Sequence, residues 1–90
     1  MNITSNDLEQ KLTLDLQPSF LQVLDESAAH AGHAGSDGTG TGTHFRVKIA
    51  SQAFNGLTRV AKHRLVYDSL QQFTDRGMHA LAIEIVDAAH

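Results

Sequence analysis

The stretch HAGHAGSDGTGTGTHFRVKIAS sets His30, His33 and His44 along one glycine-rich segment and the start of the run that follows it. A further histidine, His79, precedes another apolar run far down the chain. Neutral imidazole is a ligand for transition metals, so His79 with His30 or His33 forms a candidate metal-binding set. The chain has no cysteine and supplies no thiolate, so it cannot provide all the ligands of such a centre itself. The three-residue spacing of His30 and His33 falls in a loop, where spacing alone does not put two side chains on one face. His79 stands at the entry to a strand, where a side chain has a fixed direction.

The second chemical feature is the run RVAKHR, with Arg59, Lys62, His63 and Arg64 within two helical turns. Lys62 and His63 stand roughly 100° apart on a helix, so the group spreads over a broad face. Such a face is either solvated surface or a docking site for an anion: a phosphate backbone, glutathione carboxylates or an acidic partner. Other motifs carry less. The glycines of GTGTG lead into a strand, whereas a dinucleotide fingerprint opens a helix, and no GK[ST] follows. Asp25 and Glu26 are neighbours on a strand and point to opposite faces, so they read as its polar end rather than as an acid–base pair. No serine or tyrosine lies in a triad or nucleophile-elbow context, and we expect no enzymatic activity.

These residues need elements to position them. SNDLEQKLTLDLQ reads as a helix capped by Ser5 or Asn6, with Glu9 at capping-box spacing from Asn6. Leu8, Leu12 and Leu16 form its apolar stripe, and Pro18 ends it. FLQVLDES reads as a strand with Leu21 and Val23 on one face. Residues 28–43 form a loop holding five of the seven glycines. In HFRVKIA, Phe45, Val47 and Ile49 alternate with His44, Arg46 and Lys48, the pattern of a strand with one buried face. Phe54 anchors the turn SQAFNG. LTRVAKHRLVYDSLQQFTDR reads as one long helix with Val66, Leu70 and Phe73 on its buried stripe and Gly77 as its C′ residue. HALAIEIV closes the series with Leu81, Ile83 and Ile85 on one face. The order α-β-β-α-β implies an α+β two-layer domain. Its three-stranded mixed sheet, with the first two strands antiparallel and the last two parallel, is covered on one face by the helices.

Ninety residues make a single domain over 1–90. Hydrophobic content of 41% with 19% charged residues suits a folded protein rather than a disordered one. No apolar run approaches the roughly 18 residues of a membrane span, and MNITSNDLEQ lacks the features of a signal peptide, so a cytoplasmic protein is expected. The net charge of −3 argues against a generic nucleic-acid binder. The charge is uneven, however: residues 1–43 carry one base against six acids, and residues 44–90 six bases against four acids. An anionic partner would meet the second half.

The motifs DESAAHAGH, THFRVKIAS, the F-x-G of Phe54 and Gly56, KHRLVY and HALAI occur in one order that resembles the BolA family from about Phe20 to Ile83. The resemblance implies a class II KH-like fold. It implies pairing with a monothiol glutaredoxin and a shared, glutathione-containing [2Fe–2S] cluster in iron–sulfur and iron homeostasis. His79, in HAL, matches the family's cluster ligand; the second comes from the loop, where His30 is the better match and His33 the competitor. A centre with two imidazoles on one iron has precedent in Rieske clusters, and the thiolates would come from glutaredoxin and glutathione. The resemblance implies, as an alternative, a DNA-binding transcriptional regulator of stress response and cell morphology. Its contacts would use the helix bearing Lys62 and Arg64, with Arg46 and Lys48 nearby. Two departures stand out: Lys62 where the family usually has arginine, and an extra His-Ala-Gly with an extended GTGTG in the loop. Gly32-His-Ala-Gly35 spells the GxxG of a KH domain but lies between strands rather than helices.

Overall fold

The computed structural model describes residues 3–27 and 44–86. The loop expected over 28–43, with His30 and His33, lies outside the described residues. Helix α1 (Ser5–Leu16) is followed by strands β1 (Phe20–Asp25) and β2 (His44–Ala50), a 3₁₀ turn (Gln52–Phe54), helices α2 (Arg59–Ser69) and α3 (Gln71–Asp75), and strand β3 (Ala80–Ile85). This is the expected α+β order with one change: the long second helix is two helices, broken at Leu70.

The sheet has the order β1-β2-β3, with β1 and β2 antiparallel and β2 and β3 parallel. Its register aligns three rows: Phe45 and Leu81 with the exposed Asp25 at their edge, Val23–Val47–Ile83, and Leu21–Ile49–Ile85. Because strand side chains alternate, this register sends Phe45, Val47 and Ile49 to one face and His44, Arg46 and Lys48 to the other. The inward face packs against Leu8, Leu12 and Leu16 of α1 and against Val66, Leu70 and Phe73, all buried in one core. Phe54 and Met78 plug its ends. The expected stripes are therefore the ones the fold buries.

The cap of α1 differs from the sequence reading. Thr4, not Ser5 or Asn6, is the N-cap: its hydroxyl accepts from the Asp7 N–H, and the Asp7 carboxylate accepts from the Thr4 N–H at 2.9 Å. Thr4 and Asp7 spell the same reciprocal box two residues earlier than Asn6 and Glu9 would, and Ile3, just before the cap, is buried in the core. The break at Leu70 has no glycine or proline to mark it. Leu70 leaves helical geometry at φ −101°, ψ 11°, and its N–H is shared between the Val66 and Tyr67 carbonyls. Just before it, the Ser69 hydroxyl donates to Asp15 of α1 at 2.6 Å, and Lys11 pairs with the same carboxylate at 3.0 Å. The end of α2 is thus pinned to α1 while Phe73 turns down into the core.

No helix among the described residues is long and apolar enough to cross a membrane.

Hydrogen bonding from Ser69, then from Lys11, holds the Asp15 carboxyl below its ordinary pKa. A depressed carboxyl contributes stability above its unfolded pKa, and that contribution is lost as pH falls through the folded value. We therefore expect Ser69→Ala to lower stability at pH 7 by about 0.5–1 kcal/mol, a modest figure because Asp15 is partly solvated. The difference from the parent should close at acid pH, below the lowered folded-state value, where the carboxyl is protonated in both states. Urea denaturation midpoints at the two pH values check this.

Candidate metal and partner-binding site

His79 is placed by the way α3 ends. The Met78 N–H bonds to the Phe73 carbonyl at 3.0 Å and the Gly77 N–H to that of Thr74 at 3.2 Å, the paired bonds of a Schellman motif. Gly77 has φ 118°, which a side chain would strain. Met78 is buried and His79 is exposed, so the chain is anchored one residue before the imidazole and enters β3 one residue after it.

The parallel register sets His44 opposite Ala80, which brings the first residue of β2 beside the last residue before β3. The His44 and His79 ring centres are 6.3 Å apart, with the rings inclined at 41°. The backbone of His44 is held from the β1 side as well. Its N–H donates to Ser27 Oγ at 2.9 Å, its carbonyl accepts from the Glu26 N–H at 2.8 Å, and the Ser27 N–H donates to Asp25 Oδ1 at 2.9 Å. Ser27 is fully buried. The DES tripeptide therefore closes β1 and fixes the start of β2. Its aspartate turns the chain, and its glutamate does more than end a strand in solvent.

Glu26 accepts from Arg46 Nε at 2.9 Å, and Glu84 on the other neighbouring strand accepts from Arg46 Nη1 at 2.8 Å. These bonds, the one to Glu26 foremost, raise the Arg46 pKa. Arg46 and Lys48 lie on the sheet face opposite the helices, because strand alternation turns them away from the core that α1 and α2 cover. The expectation that they adjoin the basic helix is corrected. Arg46 spends its guanidinium on two carboxylates, a local surplus of negative charge that suits a strut across three strands better than a phosphate contact.

Arg59, Lys62, His63 and Arg64 all fall on α2, with Arg59 and Arg64 exposed and Lys62 and His63 half-buried. Sequence reading missed the apolar part of this surface. Val60 and Tyr67, seven residues apart on one stripe, are 67% and 46% exposed, and they line a shallow groove with Arg59, His63, Arg64 and Asp68. A groove with apolar and cationic walls takes a folded partner more readily than a bare phosphate backbone. The Tyr67 hydroxyl donates to the Leu81 carbonyl at 3.1 Å, tying the groove to the strand that His79 enters. The signal was available in the sequence: Val60 and Tyr67 lie off the Val66–Leu70–Phe73 stripe and so cannot be core.

Among the described residues, no three His, Asp or Glu side chains gather into a set able to hold a metal by themselves. What they offer is two neighbouring imidazoles, a partial donor set that fits a centre whose remaining ligands arrive with a partner. His30 and His33 lie outside the described residues.

Comparison with known proteins follows this geometry. The family model described as BolA-like protein matches residues 12–89. The chloroplastic protein BOLA1 of Arabidopsis thaliana is 48% identical over 77 residues, covering 84% of this chain and 48% of its own length. The DNA-binding transcriptional regulator BolA of Vibrio cholerae is 42% identical over 76 residues, covering 84% of this chain and 67% of that protein. Among solved structures, the BolA domain of SufE1 from Arabidopsis thaliana superposes with a TM-score of 0.82 at 40% identity, covering 94% of this chain and 92% of that one. The chain spans about half the length of the chloroplastic relative. It belongs to the BolA-like family.

Gly77→Ala should destabilise the fold by about 1–2 kcal/mol through backbone strain alone, since a Cβ at Gly77 meets nothing within 4 Å. Thermal denaturation checks the size, and a shift of the His79 amide resonance in the folded variant checks that the cap positions the imidazole.

Proposed function

We propose that this BolA-family chain is a non-catalytic partner of a monothiol glutaredoxin, with which it co-ligates a glutathione-containing [2Fe–2S] cluster in iron–sulfur and iron homeostasis. The observation that carries this reading is the exposed imidazole of His79, set on a fixed backbone and 6.3 Å from a second imidazole. His79 supplies one protein ligand. The second comes from a histidine in the segment leading into β2, for which the sequence nominates His30 first and His33 in reserve. The chain holds no cysteine, so glutaredoxin and glutathione supply the thiolates. When bound, such a cluster supplies a one-electron couple whose potential rises when imidazole replaces thiolate. This chain's own contribution is to orient the imidazoles and to dock the partner. The α2 groove, with its apolar Val60 and Tyr67 and cationic Arg59 and Arg64, is suited to the docking.

A second reading has its own support. The Vibrio cholerae relative and the 38% identical Escherichia coli relative are both named as DNA-binding transcriptional regulators. In that reading α2 meets the phosphate backbone through Lys62 and Arg64, in a protein that acts on stress response and cell morphology from the cytoplasm. The acidic first half keeps such binding weak and salt-dependent.

Titrating this protein into a reconstituted glutaredoxin [2Fe–2S] dimer with glutathione should change the visible circular dichroism, saturating at one equivalent per glutaredoxin. His79→Ala should abolish the change. An unaltered spectrum, with the two proteins eluting apart, would remove the cluster role. For the second reading, fluorescence anisotropy with duplex DNA should show the Lys62→Ala/Arg64→Ala variant binding more weakly, its salt slope lowered by roughly 2. His79→Ala should leave that binding intact.

A further inference from the structure

We propose that the open edge of β3, with the wall that α2 raises beside it, takes an extended acidic peptide segment as an added strand. The inference needs neither iron nor glutaredoxin and goes beyond the cluster-sharing reading. Among the described residues β3 pairs on one side only, with β2. The Val86 N–H bonds to the Ile49 carbonyl at 2.9 Å, so the even-numbered residues of β3 turn their main-chain groups to β2. The odd-numbered ones, Leu81, Ile83 and Ile85, turn theirs to the open side. The bond from the Tyr67 hydroxyl to the Leu81 carbonyl agrees, since it reaches that carbonyl from α2 rather than from β2. Exposed edges are usually guarded by proline, lysine or a bulge. The strand ALAIEI has no proline or lysine and pairs residue for residue with β2, and its one charge, Glu84, is held by Arg46. The apolar row beneath this edge is also incompletely covered: Leu81, Ile83 and Ile85 are half-buried, whereas Phe45, Val47 and Ile49 on β2 are 2%, 0% and 0% exposed.

What lies over the edge selects the occupant. α2 joins two parallel strands and so runs back against them, which puts Tyr67 over Leu81 and the Arg59–Val60 end toward Ile85. Tyr67 to Val60 spans roughly 10 Å of helix and Leu81 to Ile85 about 13 Å of strand, so wall and edge match in length. Ser69 faces α1, and the 100° step per residue sets Val60, His63 and Tyr67 on the opposite flank, above the edge. A peptide main chain offers donors and acceptors in the alternation that the edge requires; a phosphodiester, which only accepts, does not. Apolar side chains of the added strand would meet Val60 and Tyr67, and Arg59 and Arg64 call for carboxylates at the end near Ile85. A second copy fits less well. Pairing β3 with β3 about a two-fold axis at Ile83 sets His63 and Arg64, half-way along the wall, beside their own counterparts.

The probe is a synthetic peptide alternating valine and threonine, blocked at both ends, with a pair of glutamates at its N-terminus. Antiparallel pairing brings those glutamates to Arg59 and Arg64. The peptide is titrated into the ¹⁵N-labelled full chain. Amide shifts should centre on β3 and α2, and the Ile83 and Ile85 amides should become slow to exchange with solvent. N-methyl groups on alternate residues of the peptide should abolish binding in one phase and spare it in the other, a pattern that main-chain pairing requires. Lysines in place of the glutamates, or the Arg59→Ala/Arg64→Ala variant, should weaken binding roughly tenfold. Binding indifferent to N-methylation or to the sign of the peptide's charge, or no binding at millimolar peptide, would overturn the proposal. So would Ile83 and Ile85 amides already slow to exchange in the free protein. Protection that grows with protein concentration assigns the edge to a second copy, and protection independent of concentration shows that the chain covers its own edge.

Discussion

The structure depends on the register of β2, among the described residues the one strand paired on both sides. Each of its inward residues completes a row: Phe45 with Asp25 and Leu81, Val47 with Val23 and Ile83, Ile49 with Leu21 and Ile85. A slip of one residue would turn Phe45, Val47 and Ile49 outward and bring Arg46 and Lys48 under the helices, which no core tolerates. That constraint does more than hold the fold. With the rows fixed, His44 must face Ala80, and the imidazole one residue upstream of β3 must lie beside it. Arg46, one step further along the outer face, must fall between Glu26 and Glu84.

The two sides of the molecule are therefore specialised by one alternation. The inner face and both principal helices form a single apolar core, tied at the helix ends by short polar bonds such as Ser51 Oγ to the Leu16 carbonyl at 2.6 Å. The outer face is a charged strut with two imidazoles at one end. Among the described residues no buried side-chain nitrogen or oxygen lacks a hydrogen-bond partner, so the polar groups that enter the interior are structural participants. The chemistry is left to exposed groups: His79, and the apolar and cationic wall of α2.

Much of this was legible in the sequence. The Leu8–Leu12–Leu16 stripe, the alternation of HFRVKIA and the Val66–Leu70–Phe73 stripe are periodic signals, and periodicity survives without tertiary knowledge. Gly77 was readable as a helix stop because few other residues accept its φ. Three features were not legible for three physical reasons. The cap at Thr4 competes with Asn6 and Glu9 in the same spelling, and only the burial of Ile3 decides between them. The break at Leu70 lies beside the Ser69–Asp15 bond, a contact 54 residues apart that no local propensity encodes. The approach of His44 to His79 requires the parallel register, so a scan for ligand spacing along the chain passes over it.

If the sheet end that carries His44 and His79 is where iron, partner and this chain meet, the paramagnetic centre must lie within reach of that end. Amide spectra of the ¹⁵N-labelled protein bound to cluster-loaded monothiol glutaredoxin, set against the complex with metal-free glutaredoxin, locate it directly. Paramagnetic broadening should be centred on His44, Met78, His79 and Ala80, with shift changes from docking along Val60 to Tyr67. Broadening centred on α1, or no broadening in a complex that holds its cluster, would contradict the account.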